Sequence, residues 1–127
     1  MIVLDENIDT RERQKLDDWR IQTRKIGLDL GSKGITDQNV IPLLHRLKTV
    51  TYFTADIDYY KPRLCHPRYC VVWLDLDVQR TAEFIRRFLR HPAFRTWRQR
   101  RGTVVRAHPG GLRVWRWKQQ NANEIPW

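Results

Sequence analysis

Three short apolar runs, each closed by carboxylates, set the limits on what this chain can fold into. Ile2-Val3-Leu4 leads into Asp5-Glu6-Asn7. Thr49 to Thr54 leads into Ala55-Asp56-Ile57-Asp58, and the run from Cys70 to Leu76 carries Asp75 near its end and Asp77 just after it. Short runs of this kind, rich in β-branched and aromatic residues, read as buried strands. Stretches of helical period lie between them, and strands alternating with helices imply a largely parallel sheet with helices on both faces. Right-handed crossovers then bring every parallel strand end, and the acids placed there, to one edge.

The intervening segments fill in the order. Asp9 as N-cap with Glu12 at the third helical position predicts a capping box and a helix to about Trp19. Its apolar face is thin, chiefly Leu16 and Trp19, so most of it faces solvent. Ile21, Ile26, Leu28 and Leu30 alternate roughly and predict a strand ending near Leu30, followed by a turn over Gly31-Ser32-Lys33-Gly34. Thr36 is a good N-cap, with Asp37 in the first turn of a helix whose core face is Val40, Ile41, Leu44 and Leu47. Pro42 falls in its early, tolerant turns. Residues 59–69 read as an irregular, proline-containing loop. A helix over 79–91 turns Ile85, Phe88 and Leu89 inward, His91-Pro92 breaks it, and a shorter helix with Phe94 and Trp97 follows. Strands over 103–107 and 112–117 flank His108-Pro109-Gly110-Gly111, a hairpin signal. The expected fold is α/β: a Rossmann-like three-layer α/β/α sandwich, mostly parallel, with a C-terminal antiparallel hairpin. One domain spans 1–118, and 119–127 is expected to be a loose polar tail apart from Trp127.

A chain of 127 residues supports one core and not two. Its longest apolar run, Val71-Val72-Trp73-Leu74, is far too short for a membrane span, and no basic-then-apolar leader precedes the first strand. Two cysteines make no disulfide framework, and Cys65-His66 with Cys70 has the wrong spacing for a zinc finger. These features predict a cytoplasmic protein that does not use a membrane.

The formal charge of +10 is very unevenly placed. Residues 1–79 hold 12 basic and 12 acidic side chains, whereas 80–118 hold 12 basic ones and the single acid Glu83. A basic surface beside an acidic pocket suits a polyanion whose reacting phosphate is bridged by metal ions. The acids expected on the shared edge are Asp5 and Glu6 after the first strand, Asp37 at a helix start, and Asp56 and Asp58 after the third strand. Crowded carboxylates repel, and a divalent cation compensates them. Oxygen-only ligands select Mg²⁺ or Mn²⁺ over zinc, and the helix N-terminus favours negative charge at Asp37. Asp77 reads as an N-cap and Asp75 as a neighbour of the site.

Several motifs carry a family resemblance. Leu4-Asp5-Glu6-Asn7 at the start resembles the opening of PIN-like domains of the "LDEN" type. The spacing to Asp29-Leu30-Gly31, Gly34 and Asp37 is similar to that family, as is Thr54-Ala55-Asp56-Ile57-Asp58-Tyr59, where members tend to carry Phe in place of Tyr59. Gly102-Thr103-Val104-Val105 and a closing strand with Arg113 extend the likeness over most of the chain. The Asp75 strand end and the tryptophan-rich last strand depart from it. The resemblance implies a PIN fold and a Mg²⁺- or Mn²⁺-dependent endoribonuclease. It further implies the VapC-like toxin of a type II toxin–antitoxin pair, acting on RNA and partnered by a small antitoxin from an adjacent gene. Asp5, Asp37, Asp56 and Asp58 would then be the catalytic, metal-holding acids, with Glu6, Asn7 and Thr54 in support. The expected partners extend to a further copy of the chain, as a homo-oligomer. Two other readings fit the acids. One is a non-catalytic PIN-like module binding RNA or protein. The other is a receiver-like signalling domain phosphorylated on Asp56, although no Ser or Thr ends the fourth strand and no Lys closes the fifth.

Arg86, Arg87 and Arg90 on the long helix, and the interleaved Arg113, Trp115, Arg116 and Trp117, are the candidates for binding RNA or an antitoxin segment. Alternate residues of a strand face opposite ways, so packing of some tryptophans into the core is a third possibility.

Overall fold

The computed structural model describes residues 1–127. Along the chain come β1 (Ile2–Leu4), α1 (Thr10–Asp18), β2 (Arg24–Lys25), α2 (Asp37–Leu47), β3 (Val50–Thr54), β4 (Tyr69–Leu74), α3 (Thr81–Arg90), α4 (Trp97–Arg100), β5 (Thr103–His108), β6 (Gly111–Arg116) and β7 (Asn123–Ile125). Short 3₁₀ turns at Ile57–Tyr59 and Pro62–Leu64 cross from β3 to β4, where an irregular loop was expected. The strands form one mixed sheet in the order β2-β1-β3-β4-β5-β6-β7. The first five in that order pair in parallel, and β6 and β7 close it antiparallel. The α/β class, the largely parallel sheet and the terminal hairpin all follow the sequence expectation.

The central strands are buried throughout: every residue of β3 is inaccessible, as are five of the six in β4. Successive side chains point to opposite faces, so the core divides in two. Leu4, Phe53, Val72 and Val105 join Leu16 of α1 and Ile85 and Phe88 of α3 in one cluster. Val3, Tyr52, Val71 and Val104 join Val40, Leu43 and Leu44 of α2 in the other. Phe88 sits edge-on to Phe53 and stacks on Phe94, which locks α3 and the segment after it onto the sheet. Arg100, from the cation-rich last third of the chain, turns inward. Its guanidinium donates to the Thr51 hydroxyl at 3.0 Å and to the Phe94 carbonyl at 2.9 Å, tying α4 to β3.

Three local expectations are corrected. Asp9 does cap α1, accepting from the Arg11 N–H at 2.7 Å, but the reciprocal half of the capping box is absent. Glu12 is buried, and its carboxylate accepts from the Ala82 N–H at 3.0 Å and pairs with Lys15 at 2.6 Å. It satisfies an orphan donor at the start of α3, a tie between helices that the spacing within α1 does not reveal. The strand expected up to Leu30 shrinks to Arg24–Lys25, because Gly27 turns the chain at φ +85° and Leu28 points to solvent. Residues 119–127 are not a loose tail. Asn123–Ile125 pairs with β6 as the seventh strand, the Trp127 indole donates to the His108 carbonyl at 2.6 Å, and its ring packs edge-on against Phe84. No helix is long and apolar enough to cross a membrane.

Trp127→Ala removes this clasp from α3 and β5. The expected loss is about 2 kcal/mol, below the range for a fully buried tryptophan because the ring is partly exposed. Urea denaturation followed by far-ultraviolet dichroism measures it, and an unchanged midpoint contradicts the clasp.

Candidate functional site

The parallel strands do deliver their acids to one edge. Asp5 directly follows β1, Asp56 and Asp58 follow β3, and Asp37 opens α2. The carboxylates of Asp37, Asp56 and Asp58 each offer an oxygen within 4.8 Å of the others. Asp5 is not in that trio. It reaches it through Thr54, whose buried hydroxyl donates to the Asp5 carboxylate at 2.6 Å and accepts the Asp56 N–H at 3.0 Å. The sequence expectation of four converging acids thus resolves into three that meet and one that holds the turn beneath them.

Each member is set by local geometry. Asp56 accepts the Asp58 N–H at 2.9 Å, a side-chain cap that starts the 3₁₀ turn and fixes both acids on it. Tyr59 follows, buried edge-on against Tyr52, and its hydroxyl donates to Asp37 at 2.9 Å. Asp37 is also the first residue of α2, where the helix presents unpaired N–H groups and the positive end of its dipole. Burial raises the phenol pKa of both Tyr52 and Tyr59 above the usual 10.0; the nearby Asp5 charge adds to it for Tyr52, and donation to Asp37 adds to it for Tyr59. Both phenols stay protonated, so Tyr59 remains a donor throughout the neutral range.

Glu6 and Asn7 have structural parts. The Glu6 carboxylate accepts the Gly34 N–H at 2.7 Å and lies against Gly27, where an added Cβ would come within 2.8 Å of it. It therefore shapes the loop that leads into α2 and to Asp37. Asn7 contributes its backbone N–H to Asp5 at 3.2 Å. Asp75 is engaged elsewhere, held by the Arg106 guanidinium at 2.7 Å. Asp29 is likewise taken up by Arg13 at 2.6 Å and the Lys25 N–H at 2.9 Å.

A cleft of about 580 Å³ runs from these acids along α2. Asp37, Asp58, Tyr59, Lys61 and Arg63 line it, and Ile41, Pro42 and Leu64 supply its apolar lining. Lys61 and Arg63 were not singled out by sequence reasoning, and Tyr59 entered it only as a motif position, with no role at the site. Tyr59 had a visible signal, a hydroxyl-bearing aromatic directly after an acid-rich turn.

The residues expected to bind RNA or an antitoxin do not form one surface. The Arg86 guanidinium lies 3.7 Å over the Trp19 ring, and that of Arg87 lies 4.7 Å over Trp127. With Arg90, His91 and Pro92, Arg86, Arg87 and Trp127 line a separate depression of about 340 Å³. Arg113 pairs with Glu124 at 3.1 Å, while Trp115 packs against the cluster that holds α2. Arg116 points to the other face, 5.8 Å over Phe94, and Trp117 is exposed beyond the strand end with Lys118 over its ring. Cys65 and Cys70 also part: the first donates to the Trp115 carbonyl and the second meets the Thr103 hydroxyl. Comparison with known protein families, curated proteins and solved structures finds no match to this chain.

Because the unfolded chain ionises Tyr52 and Tyr59 near pH 10 and the fold does not, the unfolded state binds fewer protons above that pH. Stability from these groups is intact below about pH 10 and falls as pH rises further. Melting temperatures taken from about pH 8 to 11 should show the fall, and Tyr52→Phe should flatten it.

Proposed function

We propose that this chain is a PIN-like endoribonuclease of three-layer α/β/α architecture, dependent on Mg²⁺ or Mn²⁺, and the toxin half of a type II toxin–antitoxin pair. The observation that carries the reading is the meeting of Asp37, Asp56 and Asp58 from two separate segments, with Asp5 bonded to their turn through Thr54. The donor set passes a chemical test for the metal: it is oxygen only and anionic, which suits a hard divalent cation and not zinc. The toxin assignment rests on the motif resemblance, and the basic depression on α3 offers a surface where an acidic antitoxin segment would fit.

Asp37, Asp56 and Asp58 would hold the cation, with Asp5 supporting them. When bound, it supplies neutralisation of phosphate charge and a lowered pKa for water. The chain's own part is positioning. Three carboxylates this close repel a phosphodiester, and a bound cation would offset that repulsion at the reacting phosphate. Thr54 fixes the backbone of Asp56, and Tyr59 orients the Asp37 carboxylate. The result is a set of ligands organised before binding, which limits the reorganisation needed at the moment of reaction.

Asp56→Asn and Asp5→Asn should each lower cleavage of single-stranded RNA in Mn²⁺ by about 100-fold or more, with an unchanged dichroism spectrum. Cleavage by both variants at the wild-type rate sinks the assignment. Tyr59→Phe removes only the hydroxyl that orients Asp37; titration calorimetry should show Mn²⁺ binding about 10-fold weaker.

A further inference from the structure

Lys61 and Arg63 stand out among the cations of this chain because they share a cleft with free carboxylates and pair with none of them. Neither belongs to any of the ion pairs of the fold. Yet Lys61 is three residues from Asp58, and both line the same cavity. The intervening aromatics explain the separation. Tyr59 is buried edge-on against Tyr52, and Tyr60 packs on Trp73 with ring centroids 5.4 Å apart. Beyond them Pro62 opens a closed 3₁₀ turn, with the Leu64 N–H donating to the Lys61 carbonyl at 3.0 Å and the Cys65 N–H to the Pro62 carbonyl at 3.1 Å. Two aromatic anchors and a proline turn therefore hold two positive charges in the same apolar-lined cleft as the two negative ones of Asp37 and Asp58. Opposite charges kept apart in an open cleft are arranged for a ligand that carries charge of its own along its length.

We propose that Lys61 and Arg63 neutralise the backbone phosphates adjoining the one held at the acids, with the nucleoside between lying against Ile41, Pro42 and Leu64, so that the cleft takes single-stranded RNA. This rests on the nuclease reading and adds the path of the substrate to it. The volume of about 580 Å³ is that of a site for a ligand of nucleotide size. A nucleoside reaches the apolar lining only when its base is out of a duplex stack, which selects an unpaired strand. The fixed turn means that the backbone carrying the cations loses little freedom on binding.

The test measures binding of a fluorescent single-stranded oligoribonucleotide to the full chain in EDTA, where no cleavage occurs, across a series of KCl concentrations. Each phosphate neutralised on a single strand contributes about 0.7 to the slope of log K against log salt. The double variant Lys61→Ala with Arg63→Ala should therefore lose about 1.4 from that slope. Arg98→Ala with Arg101→Ala removes the same charge from α4 and the residue that follows it, on the side of the opposite core cluster, and should leave the slope nearly unchanged. An unchanged slope in the cleft variant, an equal loss in both variants, or no binding by the wild type overturns the proposal. Cleavage of the same RNA in Mn²⁺ is scored separately. Binding with the expected slope loss but no cleavage defeats the nuclease reading and leaves the cleft assignment standing; cleavage with no slope loss does the reverse.

Discussion

The Thr54 hydroxyl sits where two distant parts of the chain have to agree. It gives its proton to Asp5 at the end of β1 and takes one from the backbone of Asp56 beyond β3. A hydroxyl is one of the few groups that can do both at once, and at this buried position either bond left unmade would be costly. The geometry of the acidic edge is built outward from it. Asp56, so held, caps the turn that presents Asp58, and the same turn delivers Tyr59 to Asp37. These like charges lie within 4.8 Å of one another, with the carboxylates of Asp56 and Asp37 each held by a hydrogen bond from a neighbour.

How much of this could be read beforehand follows the range of the forces involved. The acids were legible because a buried parallel strand announces itself by composition, and its end is a fixed address on the sheet. Asp37, Asp56 and Asp58 were placed correctly on that ground. Glu12 was misread because its spacing from Asp9 satisfies a rule within one helix, while its actual partner, Ala82, is 70 residues away. Tyr59 was read only as a motif position for a similar reason: nothing near it in the chain identifies its partner as a carboxylate 22 positions earlier. The last strand escaped because Asn123-Glu124-Ile125 is too short and polar to show a period, and it is strand only by virtue of the β6 edge beside it.

The excess positive charge is a property of location as much as of quantity. Several of the arginines in the last third are committed to the fold, as Arg100 is to β3 and Arg86 to the Trp19 ring. A run of arginines in sequence therefore overstates the free charge on the surface. The cations that share a cavity with the acids, Lys61 and Arg63, come instead from the stretch that is neutral in sum.

The strand order also bears on when the acidic edge comes into being. β5, β6 and β7 meet through short hairpin connections, so their pairing closes small loops. β1 must find β3 across 49 positions, as in the pairing of Ile2 with Thr51. Closing the longer loop carries the larger entropic penalty, and contacts of that kind set the pace of folding. The Asp5–Thr54 bond belongs to that slow pairing, and Tyr59 can reach Asp37 only once α2 has docked. A chain emerging during synthesis thus carries all of its acids early but has no assembled edge until β1 is in place, so nascent and half-folded copies lack the arrangement that the finished molecule presents.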